Sequence, residues 1–247
     1  MNVARSVAAA LDIKPFAEEV RRRANAQFET PQYKRLLSIP LTRRRAQLYT
    51  LQKSYWNLNR RDCWAFAQGL APMNVKKLIW DHEKDELAGN EERGVEDHYS
   101  LQIRQSATIG LTRDDFVNEK LREGTRTCLY AWIHLVKDSP WLKSVSACAA
   151  LEVSNSAEWV AQGGMSYRWG KKMEKELAIS FEKQLNAKEH AEVDIEHAHM
   201  LMEVAREHAG SQADLELMME GLIESWQIDQ TWKGILADML AELPERE

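Results

Sequence analysis

Between Lys188 and Met200 the chain reads KEHAEVDIEHAHM, which places His190, Asp194, His197 and His199 within ten residues of a sequence with seven histidines in all. His190, Asp194 and His197 stand at i, i+4 and i+7. At about 100° per residue they fall within roughly 60° of one another on one helical face, and His199 lies about 180° from His190. Val193, Leu201 and Val204 flank the three-residue face, so it is at least partly buried. Two imidazoles and a carboxylate buried without partners cost on the order of several kcal/mol. A metal ion removes that cost, because imidazole nitrogen and carboxylate oxygen suit iron, manganese or zinc. A solvated helix face rich in Glu and His is the competing reading of the same residues.

One helix cannot fill a coordination sphere, and two other stretches offer the remaining ligands. In IWDHEKDELAGNEERGVEDHYSLQI, His98 sits on an apolar stripe with Val95, Tyr99, Leu101 and Ile103, and Glu83, Asp85, Glu86 and Glu91 lie upstream. In one continuous helix Glu86 and His98 would stand about 120° apart. The Ala88-Gly89-Asn90 break can repair this with a loop or bulge. Glu91, seven residues before His98, shares its face without repair and is the alternative. In SACAALEVSNSAEWVA, Glu152 is the only charged residue between Lys143 and Glu158. A carboxylate isolated in an apolar helix is seldom left without a charge partner or a metal. The candidate ligands are therefore Glu86, His98, Glu152, His190, Asp194 and His197. Tyr55, Trp56, Asn59, Arg60, Tyr167 and Arg168 are candidate pocket residues, each of which also has a ready structural explanation.

These residues need rigid elements to bring them together. The 247 residues are 44% hydrophobic and 29% charged, and hold only 11 glycines and 6 prolines. Long unbroken stretches are rich in Ala, Leu, Glu, Lys, Arg, Gln and Met, all good helix formers, and period-two β-branched runs are absent. An all-α, single-domain bundle over residues 1–247 is expected. Its helices are expected at about 3–28, 42–67, 73–87, 91–109, 112–136, 140–161, 165–187, 189–208 and 212–243. The formal net charge of −5 and the lack of a basic block beyond Arg43-Arg44-Arg45 argue against nucleic acid as a partner. No apolar run reaches the roughly 20 residues of a membrane span. The N-terminal MNVARSVAAALDIKPF is read as mature sequence. Cys63, Cys128 and Cys148 are odd in number and widely spaced, which fits no disulfide framework and suits a cytoplasmic location.

In order and approximate spacing, Asp85-Glu86 with His98, Glu152 in ALEVSNS, and the H-x-x-x-D-x-x-H of His190, Asp194 and His197 resemble the heme-oxygenase-like diiron oxidases and oxygenases. Those enzymes are related in fold to heme oxygenase, thiaminase II and pyrroloquinoline-quinone synthase. TPQYKRLLSIPLTRRRAQLYTLQKSYW is similar to the family's opening, and the resemblance covers about residues 31–208. It implies a heme-oxygenase-like helical bundle that holds two Fe(II) ions, one on Glu86, His98 and Glu152 and the other on Glu152, His190, Asp194 and His197. It implies O2 as co-substrate, and oxidation of a small molecule such as an amino acid, amine or fatty-acid-like compound by C–H abstraction, N-oxygenation or C–C cleavage. An external reductant and a homodimer also fit. Members that convert their own side chains use a Tyr near the N-terminus and a Lys shortly after the lone Glu. Tyr33 meets the first requirement, but the second position falls near Gln162, with no Lys. A metal-free thiaminase-II-like hydrolase or a regulatory protein of the same fold is the alternative.

The helical register sets a test. His190→Ala and His197→Ala are each expected to lower bound iron severalfold without unfolding the chain, and His199→Ala is expected to leave it unchanged. Metal analysis of the three purified variants checks this, and equal loss in all three would mean that the segment works as a surface cluster.

Overall fold

The computed structural model describes residues 11–91 and 93–245, with the side chains of residues 191–196 excepted. Among the described residues there are eleven α-helices: α1 (Lys14–Ala26), α2 (Pro31–Ser38), α3 (Arg43–Leu70), α4 (Met73–Ala88), α5 (His98–Ser106), α6 (Arg113–Asn118), α7 (Glu123–Lys137), α8 (Trp141–Asn155), α9 (Met165–Leu177), α10 (Leu185–His208) and α11 (Gln212–Ala241). The only strand-like pairing among them is an isolated bridge between Asn90 and Val95. No described helix is long and apolar enough to cross a membrane.

The helix starts follow local chemistry. Thr42 takes an extended conformation and its side chain accepts from the Arg45 amide, which opens α3. Thr112 and Asp115 form a reciprocal capping box on α6. α1 begins at Lys14 and α8 ends at Asn155, short of the expected 3–28 and 140–161, and residues 3–10 lie outside the described residues. Three other expectations fail, each for a physical reason. The expected helix from 91 is a loop up to His98, because Gly89 and Gly94 adopt positive φ and Asp97 caps a new helix by accepting from Ser100 N. The expected 112–136 helix divides at residues 119–122. There Tyr55 Oη donates to Glu119 O, Gln52 Nε2 donates to Lys120 O and Gln52 Oε1 accepts from Arg122 N, so α3 side chains replace the helix's own hydrogen bonds. The break expected near 188 falls earlier, between Ala178 and Gln184, where Gln184 Nε2 donates to Gly170 O and Ile179 O. α10 then runs unbroken. The short helix α2 was not anticipated.

α8 is the centre of the bundle. Every residue from Ser144 to Ser154 on it is buried, with α3, α7, α10 and α11 packed around it. It meets α11 closely at Gly221, where an added Cβ would lie 2.4 Å from Lys143 O. Trp226 on α11 then donates its indole N–H to Ala150 O and to Ser154 Oγ. So close a backbone approach leaves no room for a side chain, and a clash at a helix contact of this kind costs about 1–3 kcal/mol. Gly221→Ala is therefore expected to lower the denaturant midpoint without changing the slope. A variant as stable as the parent would show that the two helices can part at no cost.

Candidate metal centre

Four helices bring the candidate residues together. α4 contributes His82, Glu83 and Glu86, α5 contributes His98, α8 contributes Glu152, and α10 contributes His190 and His197. Two groups result. In the first, one ligand atom each from Glu86, His98 and His190 lie within 4.8 Å of one another. In the second, the same holds for His82, Glu152 and His197. The His98 and His190 rings are 4.6 Å apart between centroids, and the His82 and His197 rings 4.1 Å. α4 and α10 run antiparallel here. His82 pairs with His197, and one turn along α4 Glu86 pairs with His190.

The partition differs from the one implied by resemblance. Glu152 stands with His197 and a histidine that the ligand set did not contain, His82. Glu86, not Glu91, lies beside His98, with Oε1 3.0 Å from Nδ1. Asp194 lies on α10 between the two histidines, and its side chain is outside the described residues. His199 turns the other way, is exposed and pairs with Glu158 at 2.6 Å. The signal for His82 was present in the sequence. Val75, Ile79, His82 and Glu86 follow i, i+4, i+7 and i+11, so the apolar stripe of α4 runs straight into the site.

Burial makes this arrangement demanding. Glu86, His98, Glu152, His82 and His197 are all buried. Burial opposes ionisation of Glu152, but the nearby His82, with Arg60 and His197, outweighs it and holds the carboxyl well below its usual range. Glu86 behaves likewise, its carboxyl kept low against burial by Arg61, His98 and His190. Burial lowers His82, yet Glu152 and Glu83 push it up to about 9. The buried carboxylates are thus held as anions by Arg60, Arg61 and the imidazoles around them. His82 has two distinct sides. Its Nδ1 bonds Glu83 Oε1 at 3.0 Å, whereas its buried Nε2 makes no hydrogen bond and faces Glu152 Oε1 at 3.6 Å. A histidine whose one nitrogen is oriented by a carboxylate, with the other directed at a carboxylate and a second imidazole, has the form of a metal ligand.

Glu86, His98, His190 and Glu152 open onto a cavity of about 300 Å³. Trp56, Trp232, Tyr49, Leu151 and Met165 give it apolar walls. At its polar end Asp229, on α11, accepts from Tyr33 Oη and pairs with Lys233 at 3.0 Å, and Lys233 Nζ lies 4.2 Å from the Trp232 ring centre. Lys233 and Asp229 were not among the expected pocket residues. Of those that were, Trp56 and Arg60 line the cavity, and Tyr55, Asn59, Tyr167 and Arg168 do not. Tyr55 and Arg168 instead bond backbone carbonyls, Arg168 that of Gly163 at 2.8 Å. Gln162 is exposed and stands away from Tyr33's cavity.

No family model matches the chain, and no curated protein does. Solved structures do. A domain of unknown function from Shewanella denitrificans OS217, described as having a heme oxygenase-like fold, matches with a TM-score of 0.65 over 98% of this chain and 99% of its own, at 16% identity. The chain has the heme-oxygenase-like fold. A CADD-like protein of unknown function from Nostoc punctiforme PCC 73102 matches with a TM-score of 0.71 and 16% identity, over 92% of this chain and 97% of its own. A TenA homologue from P. horikoshii OT3 matches with a TM-score of 0.57 and 13% identity, over 90% and 97%. The expected all-α heme-oxygenase-like bundle and its relation to thiaminase-II-type proteins are thus what the structure shows, at identities that speak to fold alone.

The approach of α5 to α4 depends on Gly89. Its φ is +73°, and a Cβ there would come within 2.4 Å of Val95 O. The turn it permits is closed by Asn90 N to Val95 O and Val95 N to Asn90 O, at 2.8 and 2.9 Å. Gly89→Ala is expected to cost about 1–3 kcal/mol and to displace His98 from Glu86. A normal melting temperature with unchanged metal uptake would show that the turn does not place His98.

Proposed function

We propose that this protein is a non-heme diiron oxidase or oxygenase that uses O2 to oxidise a small organic molecule. The observation that carries this reading is the pair of largely buried His/Glu groups, each offering three ligand atoms among the described residues, beside one cavity lined by Glu86, His98, His190 and Glu152. Glu86, His98 and His190 would hold one ion. Glu152, His82 and His197 would hold the other, and Asp194 is on α10 between them. Two ferrous ions at such a site supply the electrons that activate O2, and mixed imidazole and carboxylate ligation suits iron.

The chain's own residues set the conditions for that chemistry. Trp56, Trp232, Leu151 and Met165 line the cavity beside Glu152 and Glu86, and an apolar lining strengthens the charge interactions there. Arg60, whose side chain is 1% exposed, donates to Cys148 O at 2.5 Å, lies 3.4 Å from Glu152 and is stacked between the rings of Trp56 and Trp64. It fixes the Glu152 carboxylate and part of its charge. A substrate in the cavity meets apolar walls and the polar Tyr33–Asp229–Lys233 group. This favours an apolar body with one polar end, such as an amine, an amino acid or a fatty-acid-like molecule. The reducing equivalents would come from outside the chain.

The hydrolase alternative requires a cysteine nucleophile, and nothing favours one. Burial pushes the Cys63 and Cys128 thiols up to about 11 and Cys148 higher still, and none of the three lines the cavity. A reactive thiol needs the opposite environment.

Anaerobic reconstitution with ferrous iron, followed by metal analysis and an oxygen electrode, tests the proposal. About two irons per chain and O2 uptake on exposure to air are expected, with Glu152→Ala losing both. A chain that retains no iron, or holds iron without consuming O2, would overturn it.

A further inference from the structure

The two groups are joined by a continuous line of charged contacts that none of the ligand atoms themselves explain. Glu83 Oε1 accepts from His82 Nδ1 at 3.0 Å and from Arg61 Nη1 at 2.8 Å. The same Arg61 Nη1 lies 3.1 Å from Glu86 Oε2, and the other oxygen of Glu86, Oε1, lies 3.0 Å from His98 Nδ1. Read in order, the line runs Glu152, His82, Glu83, Arg61, Glu86, His98. It begins in one group and ends in the other. Glu83 is buried and next to His82 in the chain, and Arg61 belongs to a different helix, α3.

Each link has a definite mechanical effect. By accepting from Nδ1, Glu83 fixes the His82 tautomer and ring angle, so that Nε2 points at Glu152 and His197. By holding Oε2, Arg61 would leave Glu86 with Oε1 to offer an ion beside His98 and His190. Because one nitrogen, Nη1, serves both carboxylates, a shift of Glu83 is felt by Glu86, and the reverse. Arg61 also balances two carboxylates that stand three residues apart on the same helix. A charge-assisted bond of this kind is strong and directional in a partly buried setting, and the Arg61 side chain is 17% exposed.

We propose that Arg61 and Glu83 are positioning residues that couple the two metal groups, so that the affinity of each group for its ion depends on the other through this relay. The proposal rests on the two-metal reading above and concerns residues that need not touch either ion.

The test separates coupling from simple support. His197→Ala removes a ligand from one group and leaves intact both the Glu86, His98 and His190 group and the line from His82 through Glu83 and Arg61. In that background, Glu83→Gln is introduced, and Co(II) affinity is measured anaerobically by its absorption spectrum, with metal content after dialysis as a second readout. Glu83 bonds to His82 and Arg61 and not to the group being measured. A fivefold or greater loss of Co(II) affinity is expected, with a changed absorption envelope. Arg61→Met is expected to give a similar loss, the combination with Glu83→Gln little more than either alone, and Arg61→Lys a recovery of more than half, since a single ammonium can bridge both carboxylates. Melting of the metal-free variants is followed in parallel. Unchanged affinity and spectrum on Glu83→Gln, full multiplication of the two losses, or losses that track a fall in melting temperature overturn the relay while the wild-type chain still holds two ions. A wild-type chain that binds no Co(II) or Fe(II) overturns the two-metal reading, and the relay with it.

Discussion

The carboxylate of Glu152 governs the interior of this bundle. It sits in the most apolar helix of the fold, where water cannot solvate it, and a lone charge there would cost several kcal/mol. The helices around α8 are arranged to answer it. α3 brings Arg60 with its flanking tryptophans, α4 brings His82 and α10 brings His197. Each of those partners must in turn be held, Arg60 by Cys148 O and stacked rings, His82 by Glu83. One desolvated charge therefore explains why so many polar side chains occupy the core of a helical protein, and why they are packed more tightly than solvated ones would be.

Whether that answer is structural or functional turns on what is left over. A purely structural ion pair would be closed by Arg60 alone, and burying it would bring no advantage over an apolar contact. Here the His82 Nε2 stays without a hydrogen bond, a second group of the same composition stands one turn along α4, and a cavity is lined by Glu86, His98 and His190 of one group and Glu152 of the other. Stability does not call for those additions, whereas metal-dependent chemistry does. The heme-oxygenase-like fold by itself decides nothing between them, since the solved structures that share it include proteins of unknown function.

How much of this could be read from the residues varies with the kind of signal. Glu152 was legible because a single charge in an apolar run has no ordinary explanation. The register of His190 and His197 was legible because period alone fixes it, and α3, α4 and α11 were legible through breakers and caps at their ends. His82 was missed because WDHEKDE looks like a solvated face, and part of it is, with Trp80 64% exposed. The stripe from Val75 and Ile79 points to the other face. The loop before His98 was read as helix because Glu91, Glu92 and Arg93 favour helix, and the two glycines that overrule them act through tertiary geometry. The break after α6 has no Gly or Pro at all, and it exists only because Gln52 and Tyr55 reach across from α3. Local preference cannot reveal such a partner.

The antiparallel run of α4 against α10 turns the two helices into a measuring rule. His82 and Glu86 are four residues apart and so about 6 Å apart in rise, and His190 and His197 are seven apart and so about 10.5 Å. The separation of the two groups is therefore set first by backbone pitch, with side-chain contacts making up the difference between the two rises. Substituting surface residues of either helix leaves that length alone. Inserting or deleting one residue between 82 and 86, or between 190 and 197, would rotate one group by about 100° out of register and strand it against the core. In evolution these two short intervals would keep their count.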